Sequence, residues 1–368
     1  MVFHKTHGMN QPLFSMRTLY VSRTPADSSV YPTISAALDA LPMDLNEPAC
    51  IYLAPGIYHE KITINKPYLT ILGTGKSNKD VVLTYDDYAL APMADIGKLG
   101  TFRSYSVFID THDVTLQNLT IENASGDSLT HGQAIALYAD GDRLVIDSCR
   151  LIGHQDTLFT GPLPPKEIEP DGFIGPKQFA PRINGRQYYK NCYICGDIDF
   201  IFGSATAYFE NCVIESLCLT TNVNDIQGYI TAASTPESQE YGYVFSNCKP
   251  ISKDCPPNSV YLGRPWRNYA KTVFLECALG NHIHECGFHD WKKEDARNTV
   301  LYAEYRNYPA SSADTTSNNR SLNDDIHCID GRCIPYPHRA EYVCELDAVQ
   351  AEHFSKENVL SGADHWNP

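Results

Sequence analysis

A short unit recurs along the middle of the chain. It has an apolar residue, a variable residue, a small polar or acidic residue that is usually Asn, and then Cys or Leu. Its copies lie at residues 116–121, 146–151, 189–194, 209–214, 245–248 and 274–277. Each unit is too short to bury its own apolar face, whereas units stacked one on another share a continuous core. The repeat therefore predicts a solenoid.

The segments around the repeat indicate which kind of solenoid this is. Residues 50–53, 62–64, 68–72 and 81–84 are short, rich in β-branched residues and separated by Gly, Pro, Asn or Asp. This pattern is typical of strands. We predict an all-β chain that folds as a right-handed parallel β-helix, with a short N-terminal helix and long loops. Stacking would place the cysteines of the repeat in an interior ladder. They are Cys149, Cys192, Cys212, Cys248 and Cys277.

The two ends of the chain differ in character. Residues 1–17 show no periodicity, so we predict a flexible arm there and a single β-helix domain over residues 18–368. Apolar residues from Ile34 to Leu41 recur at helical spacing before Pro42, which predicts the short helix. Residues 161–185, with six prolines, and the polar residues 307–340 are predicted loops.

Composition excludes some classes of function. The net charge is −15 and the sequence pI is about 5.2, so the chain lacks the basic surface of a nucleic-acid binder. No run of 18 apolar residues is present, and we predict no membrane span. No leader is visible at the start, and the chain has 13 Cys, an odd number. These features favour a cytoplasmic location; the alternative is a secreted protein whose leader lies outside this sequence.

Polar side chains occur in four strand-like segments where packing does not require them, at residues 132–137, 153–158, 196–203 and 262–266. Asp199 lies among apolar residues, where an unpaired carboxylate is costly. Alone, it would more often be a structural Asp bonded to backbone groups. With Asp156 and Arg264 it makes an acid–base set, in which the arginine holds one carboxylate ionised and burial keeps the other protonated. Gln133 and Gln155 have amide groups suited to an oxyanion, or belong to a polar ladder along the solenoid.

These four segments, in this order, resemble the pectinesterases of carbohydrate esterase family 8. The resemblance implies that Asp199 is the nucleophile that attacks the C6 methyl ester and forms an acyl-enzyme. It implies that Asp156 first protonates methanol and then activates water. Gln133 and Gln155 match the oxyanion donors, and Arg264 matches the residue that orients the nucleophile.

The resemblance also implies a substrate. This is methyl-esterified pectin or oligogalacturonate, bound by a monomer without a metal or other cofactor. Trp266 is expected to stack on a sugar ring. Phe202 and Trp291 are further candidates for the same wall, although Trp291 fits ordinary packing equally well. His154 departs from the family pattern because an aromatic residue is common at that position, and the loop 161–185 is longer than in plant members.

Two other functions remain open at this stage. A polygalacturonase-like glycosidase also uses paired carboxylates, but it gives no reason for two Gln donors beside an arginine-held Asp. A non-catalytic carbohydrate-binding solenoid gives no reason for the complete set of five polar residues. We further predict no metal site: Cys192 and Cys195 point to opposite faces of a strand, and His282 and His284 form a solvated pair.

Overall fold

The computed structural model describes residues 16–94, 97–310 and 338–368, and there the chain winds through repeated coils. Three long parallel sheets run along the coils, and strands from successive coils lie side by side in each sheet. This arrangement is a parallel β-helix, which confirms the predicted fold class. Most of the predicted arm 1–17 lies outside the described residues, and Arg17 begins the first strand. The single-domain boundary stays a prediction.

Sheet 1 has twelve strands and receives the first half of each repeat unit. In spatial order they are Val30–Tyr31, Arg17–Val21, Ala49–Leu53, Leu69–Gly73, Val114–Gln117, Leu144–Asp147, Arg186–Lys190, Thr206–Glu210, Tyr243–Ser246, Lys271–Leu275, Leu301–Tyr305 and Val343–Glu345. Inside it, the rings of Tyr189, Phe209, Phe245 and Phe274 stack with centroids 4.6, 4.4 and 4.5 Å apart. Such stacked rings bury a large apolar area on consecutive coils.

The polar position of the repeat makes the corner after sheet 1. Its residues have left-handed backbones with φ between 52° and 55°, a conformation that Asn tolerates better than most residues. They are Asn118, Ser148, Asn191, Asn211, Asn247 and Glu276. The next residue turns inward, and the five predicted ladder cysteines are each at most 1% exposed. The cysteine ladder is therefore confirmed.

Sheet 2 follows the corner and has seven strands. They are Gly56–His59, Val81–Tyr85, Thr120–Asn123, Arg150–Ile152, Tyr193–Gly196, Val213–Ser216 and Lys249–Ile251. Two further pairs of short strands stand apart from the three long sheets. They are Ala278–Leu279 with Tyr308–Pro309, which is parallel, and Pro92–Met93 with Gly97–Lys98, which is antiparallel.

Sheet 3 also has seven strands. They are Ile62–Ile64, Val107–Ile109, Leu137–Ala139, Leu158–Thr160, Ile198–Gly203, Gly228–Ala233 and Val260–Gly263. Alternate side chains face the core and the outside, as in any strand. An aromatic cluster covers the outer face, and the loop 161–185, which contains no helix or strand, contributes Leu163 and Phe173 to it.

Short helices cover parts of this frame. The predicted N-terminal helix is Ile34–Asp39, and the Thr33 hydroxyl caps it by accepting the Ala36 N–H at 3.1 Å. Toward the C-terminus, Ala348–Glu352 and Lys356–Leu360 bring Leu360 against the outer face of sheet 1. The remaining helices are Ser128–His131, Glu294–Arg297 and the 3-10 turn Thr101–Arg103. No helix in the described residues is both long and apolar enough to cross a membrane.

The predicted solvated pair of His282 and His284 is wrong for His282. Its side chain is 1% exposed, and neither ring nitrogen has a hydrogen-bond partner among the described residues. The cause is a parallel bridge between Val260 and Ile283, which draws this segment against sheet 3 and buries it. His284 is half-buried and stacks on Tyr261 with ring centroids 4.2 Å apart.

Candidate active site

Sheet 3 brings the predicted polar residues together at the N-terminal ends of three neighbouring strands. Residues Leu137, Leu158 and Ile201 are in register on successive coils. Just before them, the Ala134 N–H donates to the Gln155 carbonyl at 3.0 Å, and the Asp156 N–H donates to the Ile198 carbonyl at 3.1 Å. Gln133, Gln155, Asp156 and Asp199 therefore lie on three consecutive coils. Residues far apart in the chain become neighbours through the stacking.

A β-bulge presents Asp199. The register of its strand shifts between Ile198 and Ile201, and the Asp199 backbone is left-handed with φ 51°. Phe200 and Ile201 both pack into the interior core, whereas Asp199 meets Arg264. Bulges near active sites re-aim a side chain in this way. Asp156 is also left-handed, with φ 66°, so both carboxylates occupy a conformation that costs on the order of 1 kcal/mol.

Arg264 grips the Asp199 carboxylate with two parallel hydrogen bonds. Its Nε and Nη2 atoms donate to Oδ1 and Oδ2, both at 2.7 Å. The guanidinium carbon lies 3.9 Å from the ring centroid of Tyr229 and 3.8 Å from that of Trp291. The backbone N–H of Arg264 is held by the Thr231 carbonyl at 2.9 Å. The fork is thus fixed between two aromatic rings, and its planar geometry matches a carboxylate.

The two carboxyl groups differ in their tendency to hold a proton. Burial raises the pKa of Asp156 well above its usual value, and the nearby Asp199 charge raises it further. Burial also raises the pKa of Asp199, but Arg264 opposes this through its charge and its hydrogen bonds. Because only Asp199 has the arginine as a direct partner, the negative charge is favoured on Asp199 and the proton on Asp156. This is the division that an acid and a nucleophile need.

Gln133 and Gln155 leave their carboxamide groups available. Both side chains are partly exposed, and neither is hydrogen-bonded to any described residue. Their backbones, by contrast, are fixed: the Gln133 carbonyl accepts the Ala89 N–H at 2.8 Å, and the Gln155 N–H donates to Ser128 Oγ at 3.1 Å. Free amide donors on a fixed backbone suit the stabilisation of a developing negative charge.

The three aromatic candidates occupy different positions. Trp266 is half-buried, and its ring centroid lies 5.7 Å from that of Phe202 and 6.2 Å from that of Phe173. Phe202 is 4% exposed, so it mainly supports Trp266 from below. One face of Trp291 is covered by Arg264, and Lys293 Nζ also lies 4.6 Å from its ring centroid. The contacts of Trp291 are those of a residue that holds the arginine in place.

Comparison with known proteins supports the family resemblance of the four polar segments. The pectinesterase family model matches residues 21–162 and 182–323, which together are more than half of the chain. The chain belongs to the pectinesterase family. It is therefore a carboxylic-ester hydrolase, which confirms the predicted enzyme class. Residues 163–181, which lie between the matched ranges, fall inside the predicted long loop.

Two individual pectinesterases are similar to this chain over most of their length. Pectinesterase 31 of Arabidopsis thaliana is 32% identical over 318 residues, which cover 84% of this chain and 90% of the relative. Probable pectinesterase A of Neosartorya fischeri is 35% identical over 301 residues, covering 80% of each protein. Among solved structures, a pectin methylesterase in complex with hexasaccharide VII superposes with a TM-score of 0.71 at 26% identity, covering 96% of this chain and 100% of the other.

Sequence reasoning missed several residues of this pectinesterase site. Lys293 donates to the carbonyls of Pro265 and Trp266 at 2.7 and 3.1 Å. Burial, with the charges of Arg267 and Arg264, lowers its pKa to about 8, and its own charge lowers the pKa of Asp199. No motif marked Lys293, since it reaches the site from a separate loop.

Asp197 carries a signal that was visible in the sequence. It stands two residues before Asp199 in one of the four segments, and it is 2% exposed.

No group of three or more metal-ligating side chains lies together within residues 16–94, 97–310 and 338–368. Cys192 and Cys195 are both free and buried.

Proposed function

We propose that this pectinesterase hydrolyses the C6 methyl esters of homogalacturonan or oligogalacturonates with Asp199 as nucleophile and an acyl-enzyme intermediate. The observation that supports it best is the fixed Arg264 fork on Asp199 beside the buried Asp156, whose pKa is raised by burial. A solved relative at 26% identity binds a hexasaccharide, which supports a sugar polymer or oligomer as the substrate.

In the first half of the reaction, an Asp199 oxygen attacks the ester carbonyl carbon and a tetrahedral intermediate forms. The carboxamide N–H groups of Gln133 and Gln155 donate to its oxyanion. As the bond to the methoxy oxygen breaks, Asp156 gives that oxygen its proton and methanol leaves. Asp199 is then joined to the sugar carboxyl as an anhydride, and Asp156 is an anion.

In the second half, Asp156 is the base. It takes a proton from water, whose oxygen attacks the sugar acyl carbon of the anhydride. The anhydride bond breaks, Asp199 is released as a carboxylate, and the sugar leaves as a carboxylic acid that gives its proton to bulk water. Asp156 is again protonated, so both groups return to their starting states. Arg264 stays bound to Asp199 and limits its movement during both steps.

The aromatic residues supply the binding surface for the sugar in this proposal. Trp266 is half-buried and stands two residues after Arg264, and Phe202 packs against its ring. We assign the stacking on galacturonate to Trp266. We assign Trp291 no direct contact with the sugar. Its ring packs on Arg264 and keeps the guanidinium in place. The proposed steps use these side chains and water.

Methanol release tests the proposal. We expect wild-type protein to release methanol from highly methylated pectin and from methylated oligogalacturonates, and Asp199→Ala to lose about 10⁴-fold of this rate. The matched control is Asp113→Asn, because Arg143 holds Asp113 by a similar fork, at 2.8 and 2.6 Å, in the coil corner before sheet 1. This control should keep wild-type activity.

Two outcomes would overturn the proposal. New reducing ends without methanol would indicate glycosidic cleavage, and full activity in Asp199→Ala would remove the nucleophile. The relative rates on polymer and oligomer also bear on location, since imported oligomers would be the substrate in the cytoplasm. The cytoplasmic location and the monomeric state stay predictions.

A further inference from the structure

A third buried carboxylate, that of Asp197, lies behind the proposed acid–base set. The Asp197 carboxylate accepts hydrogen bonds from Ser128 Oγ, which lies 2.5 and 2.6 Å from its two oxygens, and from its neighbour Ile198 N–H at 2.6 Å. It also contacts His154 Nδ1 at 3.1 Å. Asp197 is 2% exposed, and the mechanism proposed above does not use it.

The partners of Asp197 lie on the coils that also carry Gln133 and Gln155. Ser128 begins the helix that ends just before Gln133, and His154 immediately precedes Gln155. Ser128 Oγ also accepts the Gln155 backbone N–H at 3.1 Å. One carboxylate therefore links the three coils that hold the nucleophile, the acid and the two amide donors.

The coils that carry His154 and Asp197 are closely packed against each other. A Cβ atom on Gly196 would lie 2.4 Å from the His154 carbonyl oxygen and 2.3 Å from Phe200 Cβ, so only glycine allows the two coils to approach this closely. Thr157 Oγ1 lies 3.1 and 2.8 Å from the carbonyl oxygens of His154 and Cys195. The segment that presents Gln155 is thus held by both backbone and side-chain contacts.

We propose that Asp197 is the positioning residue of this site: with Ser128 and His154 it fixes the Gln155–Asp156 segment, and its negative charge helps to keep the proton on Asp156. The inference rests on the proposed roles of Gln155 and Asp156. It assigns a function to the His154–Asp197 pair, which lies beside the reacting groups and does not itself touch the ester.

The charges around the pair support this assignment. Burial raises the pKa of Asp156 most, the charges of Asp199 and, to a smaller extent, Asp197 raise it further, and Arg264 lowers it. Lys293 lies on the side of Asp199, where it lowers the pKa of that carboxyl. On the other side, the hydrogen bond to Asp197 raises the pKa of His154, burial opposes this, and the helix-capping Asp127 adds to the rise.

The sign of the pH effect follows from these charges. Protonated His154 compensates the charge of Asp197 and weakens its effect on Asp156. When His154 loses its proton, Asp197 is uncompensated, and the Asp156 proton is held more strongly. Asp156 then stays a competent acid to higher pH, so the alkaline limb of the pH–rate profile reports on the pair.

The experiment compares Asp197→Asn and His154→Gln with wild type, using methanol release from a methylated oligogalacturonate across the acid and alkaline limbs. We expect Asp197→Asn to lower kcat on the order of 100-fold with little change in KM, because the acid and the amide donors lose their alignment. Its alkaline limb should move to lower pH by roughly one unit, because a charge that holds the Asp156 proton is gone.

His154→Gln should move the alkaline limb the opposite way, to higher pH, because it leaves the Asp197 charge uncompensated. The matched control is His112→Gln, since His112 Nδ1 contacts Asp113 at 2.6 Å outside the site; its profile should equal that of wild type. Thermal unfolding of each variant separates loss of fold from loss of alignment. If Asp197→Asn does not fold, the shift in His154→Gln carries the test.

An unchanged alkaline limb in the folded variants would overturn the inference, because a merely structural role lowers kcat without moving the limb. Failure of the proposed function has a different signature: wild-type protein would release no methanol, or Asp199→Ala would remain active. Methanol release that depends on Asp199, together with an unmoved limb, would remove the role of Asp197 alone.

Discussion

At the scale of single residues, polar groups in this protein are buried for two different reasons. The Asp199 carboxylate is 6% exposed, but Arg264 satisfies both of its oxygens. His282 is 1% exposed, and neither ring nitrogen has a hydrogen-bond partner among the described residues. Burial lowers the pKa of His282 to about 4. The hydrogen bonds from Arg264 favour the charged form of Asp199, whereas burial favours the neutral form of His282.

His282 should make the protein less stable in acid. In the unfolded chain the imidazole of His282 gains a proton below about pH 6.5. In the folded chain it gains the proton only below about pH 4. The free energy of unfolding should therefore fall by about 2 kcal/mol between pH 7 and pH 5 from this residue alone. Urea unfolding of His282→Leu at both pH values should show a smaller loss than wild type.

The exposed His112 provides the comparison for that measurement. Its side chain is 45% exposed, so His112→Leu should keep the wild-type difference between the two pH values. An equal acid loss in His282→Leu and wild type would show that the buried imidazole is not the source.

At the scale of elements, the coil corner and the bulge explain most of the geometry. Left-handed residues such as Asn191 and Asn211 turn the chain out of sheet 1 at the same point of each coil. The bulge in Ile198–Gly203 breaks this regularity once and delivers Asp199 to Arg264. Regular corners keep the coils in register, and the bulged strand places Asp199 beside Arg264.

The loop 161–185 is the element that borders the site. Its Phe173 packs on Trp266, and Arg267 Nη2 donates to the Lys166 carbonyl at 2.8 Å. We expect this loop to restrict the approach of long chains. Replacing residues 165–184 with a short Gly-Ser turn should raise the rate on pectin relative to that on short methylated oligomers, because the polymer gains room on one side of the cleft.

The comparison uses kcat/KM for both substrates. A useful control is Phe173→Leu, which keeps the loop and removes the ring contacts with Trp266 and Phe102. It should lower kcat/KM for both substrates to a similar extent. A polymer-to-oligomer ratio that is the same with and without the loop would contradict the restriction.

At the scale of the whole molecule, charge decides which pectin the protein meets easily. The chain carries a net charge of −15, and de-esterified pectin is a polyanion. Like charges repel at long range and salt screens them over about 10 Å at 0.1 M. We expect the rate on sparsely methylated pectin to be low in dilute buffer and to rise with sodium chloride, while the rate on highly methylated pectin changes little.

Sucrose at the same osmolarity controls for effects other than screening and should leave both rates unchanged. A rate that increases as methylation falls, or that decreases with salt on sparsely methylated pectin, would show that the net charge does not govern the encounter.

The amino-acid sequence by itself was enough to predict the parallel β-helix and the proposed acid–base residues, because the features that indicate them lie within short stretches of the chain. A repeat with one polar corner and one small interior residue has few ways to bury its apolar side chains, and the cysteine ladder follows from it. Asp156 and Asp199 stand out because a carboxylate in an apolar strand needs a reason.

Only the tertiary structure decided which partners surround those residues. Asp197, Ser128 and His154 meet across three coils, and Tyr229 and Trp291 enclose Arg264 from separate segments. The burial of His282 likewise depends on the β-bridge between Ile283 and Val260, which no local sequence pattern predicts. Strand patterns and turn residues act over a few positions in the chain. Hydrogen bonds, ring stacking and desolvation depend instead on which coils become neighbours. The lengths of the insertions between coils decide which residues meet in this way.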